Sequence, residues 1–201
     1  MSTSDRKARE RRQRERAFLD AATALLDRED WRAVTVEQIA TRAEYAKGTI
    51  YRHFPSKDDI YVRLAADWLA DTHAALAAID ADRPFETVFR EALAICWRRA
   101  TADRVHARIL RHVQRADYLA AVAPGTRGAL LEADARVGEL LAGLVELGVD
   151  EGALPAGPLA PRLFAVAALL AGATGLAAWP GIEDPEAALA EAALAILRLP
   201  G

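Results

Sequence analysis

The densest run of side chains able to do chemistry lies between Val34 and Lys57. There Thr35, Lys47, Thr49, Tyr51, Arg52, His53 and Lys57 supply hydroxyls, cations and ring donors, several of them on one short segment. Groups of this kind hydrogen-bond to phosphate oxygens and to base edges. They are not arranged for bond making: the 201 residues contain no nucleophile elbow, no Gly-rich phosphate loop and no recognisable pair of catalytic carboxylates, so the chain does not read as an enzyme. The single cysteine, Cys96, excludes an intrachain disulfide and any multi-thiolate metal site. His106 and His112 are six residues apart, off the spacing of three or four that puts two ligands on one helix face. Neither a metal nor a cofactor is expected.

These residues sit in a basic head. Residues 1–57 hold 13 Lys and Arg against 9 Asp and Glu, a balance of +4, while residues 58–201 carry −7; the overall −3 conceals the difference. All three lysines, Lys7, Lys47 and Lys57, are in the head. Attraction to phosphate is a local field effect, so a basic end on an acidic body suits nucleic-acid binding by that end. A hydrophobic content of 52% with 27% charged residues excludes a largely disordered chain. Residues 1–17 are dominated by charge where a signal peptide needs an apolar stretch, so a cytoplasmic location is expected. The most apolar run, Leu163 to Trp179, has Thr174 as its one polar side chain. It falls short of the roughly 20 residues a membrane span requires, and reads as a helix buried in a core or interface.

Helical spacing runs through almost every segment, which predicts an all-α fold of about nine helices. The first helix begins in the charged stretch, turns one apolar stripe inward (Ala17, Phe18, Ala21, Ala22, Leu25, Leu26) and stops near Asp30. Thr35-Val-Glu-Gln38 is a capping box and opens the second helix. A break at Glu44-Tyr45 precedes a third, Lys47 to His53, which ends before Phe54-Pro55 because a residue preceding proline is pushed out of helical geometry. Ser56 caps a long fourth helix, followed by helices from Pro84, from Asp103 to Tyr118 and from Thr126 to Leu147. Gly148 to Pro161 is the strongest loop signal, and Asp184-Pro185 starts the last helix with a cap and a proline in the first turn. This divides the chain into a head, residues 1–57, and a helical body, residues 58–201.

A capped helix, a tight turn and a short basic and aromatic helix make a helix-turn-helix, whose second helix enters the major groove while the first braces it. On Phe18, Ala21-Ala22, Leu25, Thr35-Val36, Ile39-Ala40, Lys47-Gly-Thr-Ile-Tyr51, Phe54 and Ser56-Lys57, the sequence resembles the TetR family of transcriptional regulators over about residues 15–65. The resemblance implies an N-terminal three-helix DNA-binding domain and a C-terminal helical ligand-binding and dimerisation domain. It implies that Thr35 presents a helix N-terminus to phosphate and that Lys47, Thr49 and Arg52 face the groove or its rims, with Thr49 and Arg52 reading bases. Gly48 resembles the glycine that allows close approach, Tyr51 and His53 look like backbone contacts, and Lys57 looks like the phosphate clamp. Where the family has Ala-Gly at the turn this chain has Ala43-Glu44, and where it has a serine cap the chain has Ala46.

What the resemblance implies as a whole is a homodimer through the two C-terminal helices that binds a pseudo-palindromic operator in double-stranded DNA. Such proteins are usually repressors relieved by a small-molecule effector, which here would tilt the helix beginning at Ser56. Trp68, Phe89, Cys96, Trp97 and His106 are the candidate effector contacts. The arm from Arg6 to Arg16 carries seven basic residues and reads either as a phosphate or minor-groove contact or as a frayed helix end. Glu44 and Ala46 keep open an alternative, a ligand-binding or scaffold protein whose DNA-binding head has decayed.

Overall fold

The computed structural model describes residues 3–176 and 180–199. Ten helices lie among them and no strand: α1 (Thr3–Leu26), α2 (Val36–Arg42), α3 (Lys47–Ile50), α4 (Lys57–Ala77), α5 (Phe85–Ala102), α6 (Arg104–Val113), α7 (Ala116–Ala120), α8 (Pro124–Asp150), α9 (Leu159–Ala173) and α10 (Pro185–Leu197). The fold is all-α, as the spacing indicates. The tenth helix arises because the stretch read as one helix from Asp103 to Tyr118 breaks: Arg115 is extended (φ −68°, ψ 133°) and α7 starts anew behind it. At α8 the ends differ from the sequence reading at both sides. It begins at Pro124, since proline is well suited to a first helical position, and it runs through Gly148 to Asp150. A side chain at Gly148 would come within 2.9 Å of both Leu154 and the Phe85 ring, so this glycine serves close packing rather than ending the helix. Trp179, expected to close the apolar run of α9, lies outside the described residues.

The chain forms two compact units, Met1–Asp67 with Val105–Leu130, and Trp68–Arg104 with Leu131–Gly201. In the first unit, Phe18, Ala22 and Leu26 of α1, Ile39 of α2, Ile50 of α3 and Ile60 of α4 are all essentially without solvent exposure. The periodic stripe of α1 is therefore the inner face, as its spacing predicts. Segment 105–130 docks on this unit through Trp31. The His112 ring lies 3.8 Å from the Trp31 ring and 4.5 Å from that of Tyr118, whose hydroxyl donates to Asp58 Oδ1 at 2.6 Å. Arg108 donates to the carbonyl of Leu26 at 2.7 Å, covering a helix end that α1 cannot satisfy itself.

Burial, reinforced by the charge of Arg115, holds the His112 pKa below its ordinary 6.5. A histidine whose pKa is lowered by folding binds protons more readily in the unfolded chain. Its contribution to stability is thus fully present above about pH 6.5 and is lost as the pH falls through the folded-state value. Urea unfolding at about pH 7.5 and about pH 5.5 is expected to show a loss of stability on acidification that His112→Phe reduces. An identical loss in the variant would assign the dependence to other groups.

The second unit is built on the stripe of α5. Phe85, Phe89 and Leu93 pack with Val145 of α8, Val166 of α9 and Leu194 and Leu197 of α10. On the adjoining face Ala92 and Cys96 pack with Leu76 and with Val137, Leu140 and Leu144. The N-terminus of α5 is closed by Glu151, which accepts from the Phe85 amide at 3.0 Å. Asp184 caps α10 by accepting from the Ala187 amide at 3.0 Å, with Pro185 in the first turn.

Candidate nucleic-acid interface

The first unit places α2, a tight turn and α3 in succession, and each joint has a local cause. At α2 the Thr35 hydroxyl accepts from the Gln38 amide at 3.2 Å while Gln38 Oε1 accepts from the Thr35 amide at 2.7 Å. The capping box read from the sequence is formed, and Gln38 also donates to Glu29 at 3.3 Å. The turn hinges on Glu44, at φ 61°, which is the one non-glycine residue with positive φ among those described. Tyr45 donates its amide to the Ala40 carbonyl at 3.0 Å, so the reversal satisfies the end of α2. Ala46 stands at the N-cap of α3 with no side-chain hydrogen bond.

The left-handed conformation costs a side-chain-bearing residue about 1–2 kcal/mol. Glu44→Gly is therefore expected to raise unfolding stability by about 1 kcal/mol, read as a higher urea midpoint with an unchanged slope. A lower midpoint would mean that the glutamate makes a compensating interaction.

Helical winding continues beyond α3, since the amides of Arg52, His53 and Phe54 donate to the carbonyls of Thr49, Ile50 and Ile50 at 3.3, 2.8 and 2.8 Å. Ile50 and Phe54 are buried and orient the segment. Lys47, Gly48, Tyr51 and Arg52 are exposed and Thr49 is half-exposed. Tyr51 is 49% exposed, a large aromatic side chain left about half in water. Arg52 donates to the Thr49 hydroxyl at 3.3 Å, which ties the two side chains together on this surface. Lys47 lies 3.5 Å from Glu37, an exposed pair of small worth. A side chain at Gly48 would meet nothing within 4 Å, so its smoothness matters to whatever approaches from outside.

His53 and Lys57 are placed differently from the others. The His53 side chain is only 8% exposed: its Nδ1 donates to Glu15 Oε1 at 3.1 Å and its ring stands edge-on to Phe18 with centroids 5.7 Å apart. Partial burial pushes the Glu15 carboxyl up, but hydrogen bonds from Arg11 and His53 outweigh it and hold its pKa below the ordinary 4.5. His53 therefore braces α3 against α1. The Lys57 ammonium donates to the carbonyls of Trp31 at 3.1 Å and Val34 at 2.9 Å, and lies over the Tyr61 ring. Two of its three donors are committed to the loop before α2, and one remains for an outside acceptor. Tyr61 also donates to the Trp31 carbonyl, at 3.0 Å. Sequence reasoning misses Glu15 and Trp31. The only hint is the i, i+4 spacing of Arg11 and Glu15; nothing local marks a loop carbonyl that will collect two donors.

The five residues considered for an effector scatter. In the second unit a cavity of about 350 Å³ is bordered by Trp97, Leu169, Gly172, Ile182, Leu189 and Ala192 among others. Phe89 lies in the core with Phe85, and Cys96 lies in the smaller cluster with Leu76. Burial pushes the Cys96 thiol up to about 11, which makes it a weak nucleophile. Trp68 is stacked by the Arg99 guanidinium, 5.4 Å from its centroid. His106 belongs to the first unit. Trp97 is thus the one of the five that borders this cavity, because the stripe carrying Phe89 and Cys96 is spent on holding α5, α8 and α10 together. No group of three or more His, Cys, Asp or Glu able to hold a metal ion occurs among the described residues. Nor is any described helix long and apolar enough to cross a membrane.

Residues 18–64 match the family model described as bacterial regulatory proteins, tetR family. Over this segment the chain is similar to the tetR family. The match spans the bracing stripe of α1, the capped α2, the turn and α3, which are the parts whose geometry is described above. Among curated proteins, the HTH-type transcriptional repressor KstR of Mycolicibacterium smegmatis is 37% identical over 62 residues, 31% of this chain and 30% of that protein. KstR of Mycobacterium tuberculosis is 41% identical over 51 residues, 25% of this chain and 23% of the relative. The chain thus spans less than a third of the length of these two curated relatives. Solved structures extend the likeness of fold to the body. A tetR-family regulatory protein from Rhodococcus RHA1 has a TM-score of 0.75 at 16% identity, covering 94% of this chain and 98% of that one. RolR in complex with resorcinol has a TM-score of 0.67 at 20% identity, covering 94% and 90%. The fold of these structures therefore extends over nearly the whole chain.

Proposed function

We propose that this chain is a one-component, DNA-binding transcriptional regulator of the TetR type, a repressor whose operator binding is relieved by a small-molecule effector. One observation carries the reading: Lys47, Gly48, Thr49, Tyr51 and Arg52 share an outward surface on a segment whose inner side is anchored by Ile50, Phe54 and His53. Cations and donors on a rigid, narrow rod suit a major groove, with Thr49 and Arg52 reading bases and Lys47, Tyr51 and the third donor of Lys57 on phosphates. Thr35, exposed at the start of α2, adds a helix N-terminus for a further phosphate. His53 acts through its neighbours, holding α3 at the angle set by Glu15.

A homodimer through α9 and α10 completes the reading, and its symmetry makes a pseudo-palindromic operator the natural target. Support comes from α9, which buries Arg162 and Val166 and leaves Phe164 75% exposed, an apolar surface suited to a second copy. The cavity beside Trp97 is large enough for a small apolar effector, and the resorcinol complex of RolR supports a small molecule as the kind of ligand. The effector need supply a coupling of only about 1–3 kcal/mol, passed along α4. A cytoplasmic location follows from a DNA target.

The alternative, a ligand-binding or scaffold protein with a decayed head, is favoured by Glu44 and Ala46, the strained turn and the missing cap. Binding to labelled duplex carrying the DNA that flanks its own gene separates the two. A regulator binds at low salt and loses affinity steeply as salt rises; a decayed head does not bind at low salt. Release of the duplex by small apolar compounds, scanned in the same assay, tests the effector.

A further inference from the structure

We propose that the amino-terminal turns of α1 and the end of the α3 segment form a second phosphate-binding cleft, which grips the backbone of duplex DNA beyond the base pairs that α3 reads. The inference rests on the DNA-binding reading above and deepens it.

The arm is helical from Thr3, so its cations are ordered on a rod. An extended arm can be threaded along a minor groove, but a helix about 10 Å wide cannot enter a groove about 6 Å wide. What the helix does instead is sort its charges. Lys7, Arg11 and Arg14 follow one another at i, i+4 and i+7 and fall on one face, while Arg9 and Arg12 point to the other. On the first face Lys7, Arg11 and Arg14 meet Arg52 and His53 across a cleft of about 240 Å³. Glu10 also lines it, so four permanent cations surround one carboxylate. That carboxylate lies 3.7 Å from Arg6 and 3.9 Å from Arg14, and Arg11 pairs with Glu15 at 2.9 Å. The two Glu10 pairs are exposed i, i+4 pairs worth about 0.3–0.5 kcal/mol, so a phosphate diester can displace them at little cost and accept charge-assisted bonds in exchange.

The shared residue fixes the occupant. Arg52 lies on the outward surface with Lys47, Thr49 and Tyr51 and also lines the cleft, so the cleft is continuous with the proposed reading surface. A duplex seated on α3 would therefore bring its flanking backbone to Lys7 and Arg14, which makes the ligand a DNA phosphate rather than a free anion.

The test is a salt titration of affinity for a labelled random-sequence duplex, comparing the full chain with Lys7→Ala/Arg14→Ala and with Arg9→Ala/Arg12→Ala. Both variants lose two charges from one exposed helix and gain two good helix formers, and both leave the Arg11–Glu15–His53 link intact. The cleft variant is expected to bind about tenfold more weakly at low salt, with the slope of log affinity against log salt reduced by about 0.9 for each phosphate no longer neutralised. The control on the opposite face should keep the wild-type slope, and Glu10→Gln should tighten binding. Equal slope changes in the two double variants would overturn the cleft in favour of a diffuse field. If the wild-type chain fails to bind duplex at low salt, the DNA-binding reading falls and this inference with it; wild-type binding with an unchanged slope in the cleft variant overturns the inference alone.

Discussion

Phe18→Ala is expected to unfold the amino-terminal unit or leave it barely folded. The Phe18 ring has no solvent exposure and stands edge-on to three others, with centroids 5.2 Å from Tyr45, 5.7 Å from His53 and 6.5 Å from Phe54. These three flank α3 on both sides, so a single α1 side chain sets where α3 lies. Truncating a buried phenylalanine costs about 3–5 kcal/mol, a large share of the about 5–15 kcal/mol that holds a domain together. Urea unfolding should show the loss, and duplex binding should fall with it because α3 is no longer held. Phe18→Leu keeps most of the volume and is expected to recover most of the stability. If Phe18→Ala shifts stability by less than about 1 kcal/mol, the ring cluster is not what positions the helix.

Arg52→Ala should do the opposite, sparing the fold and damaging recognition. Arg52 is exposed and its one described side-chain bond is to the Thr49 hydroxyl, so its removal is expected to change stability by no more than about 0.5 kcal/mol. A guanidinium reading a base edge contributes about 1–3 kcal/mol of discrimination. Affinity for the operator should therefore fall about 5- to 150-fold, with relaxed preference at one base pair in each half-site, measured by competition between operator variants. Lys47→Ala provides the contrast, because a cation on phosphate weakens all sequences alike and lowers the salt slope. Should Arg52→Ala weaken every duplex equally, Arg52 is a phosphate contact and the base readout lies elsewhere.

Local chemistry is legible wherever a segment decides its own shape. The Thr35–Gln38 capping box, the uncapped Ala46 and the proline and aspartate that open α10 are all visible in three or four consecutive residues. The strained turn at Glu44 is legible too, because a glutamate standing where a glycine is expected must accept a positive φ. The apolar stripes of α1 and α5 are equally readable, since a 3.6-residue period shows which side of a helix is buried. Partners across the fold are not. His53 looks like an outward donor from its place in the motif, yet its ring turns to Glu15, 38 residues earlier in the chain. Gly148 looks like a helix end but is a point of close packing against Phe85 and Leu154.

The sequence by itself determined the helical class, the basic head and the family resemblance of that head, because caps, period and motif spacing act over a few residues and need no third dimension. Only the tertiary structure decided which motif residues remain available to a partner, with Tyr51 and Arg52 outward, His53 turned in and Lys57 divided between two carbonyls. It also decided that Phe89 and Cys96 serve the core while Trp97 borders a cavity. The reason is that a side chain's role follows from the groups packed around it. Those come from segments tens of residues away, whose approach is governed by the burial of whole helix faces rather than by any local pattern.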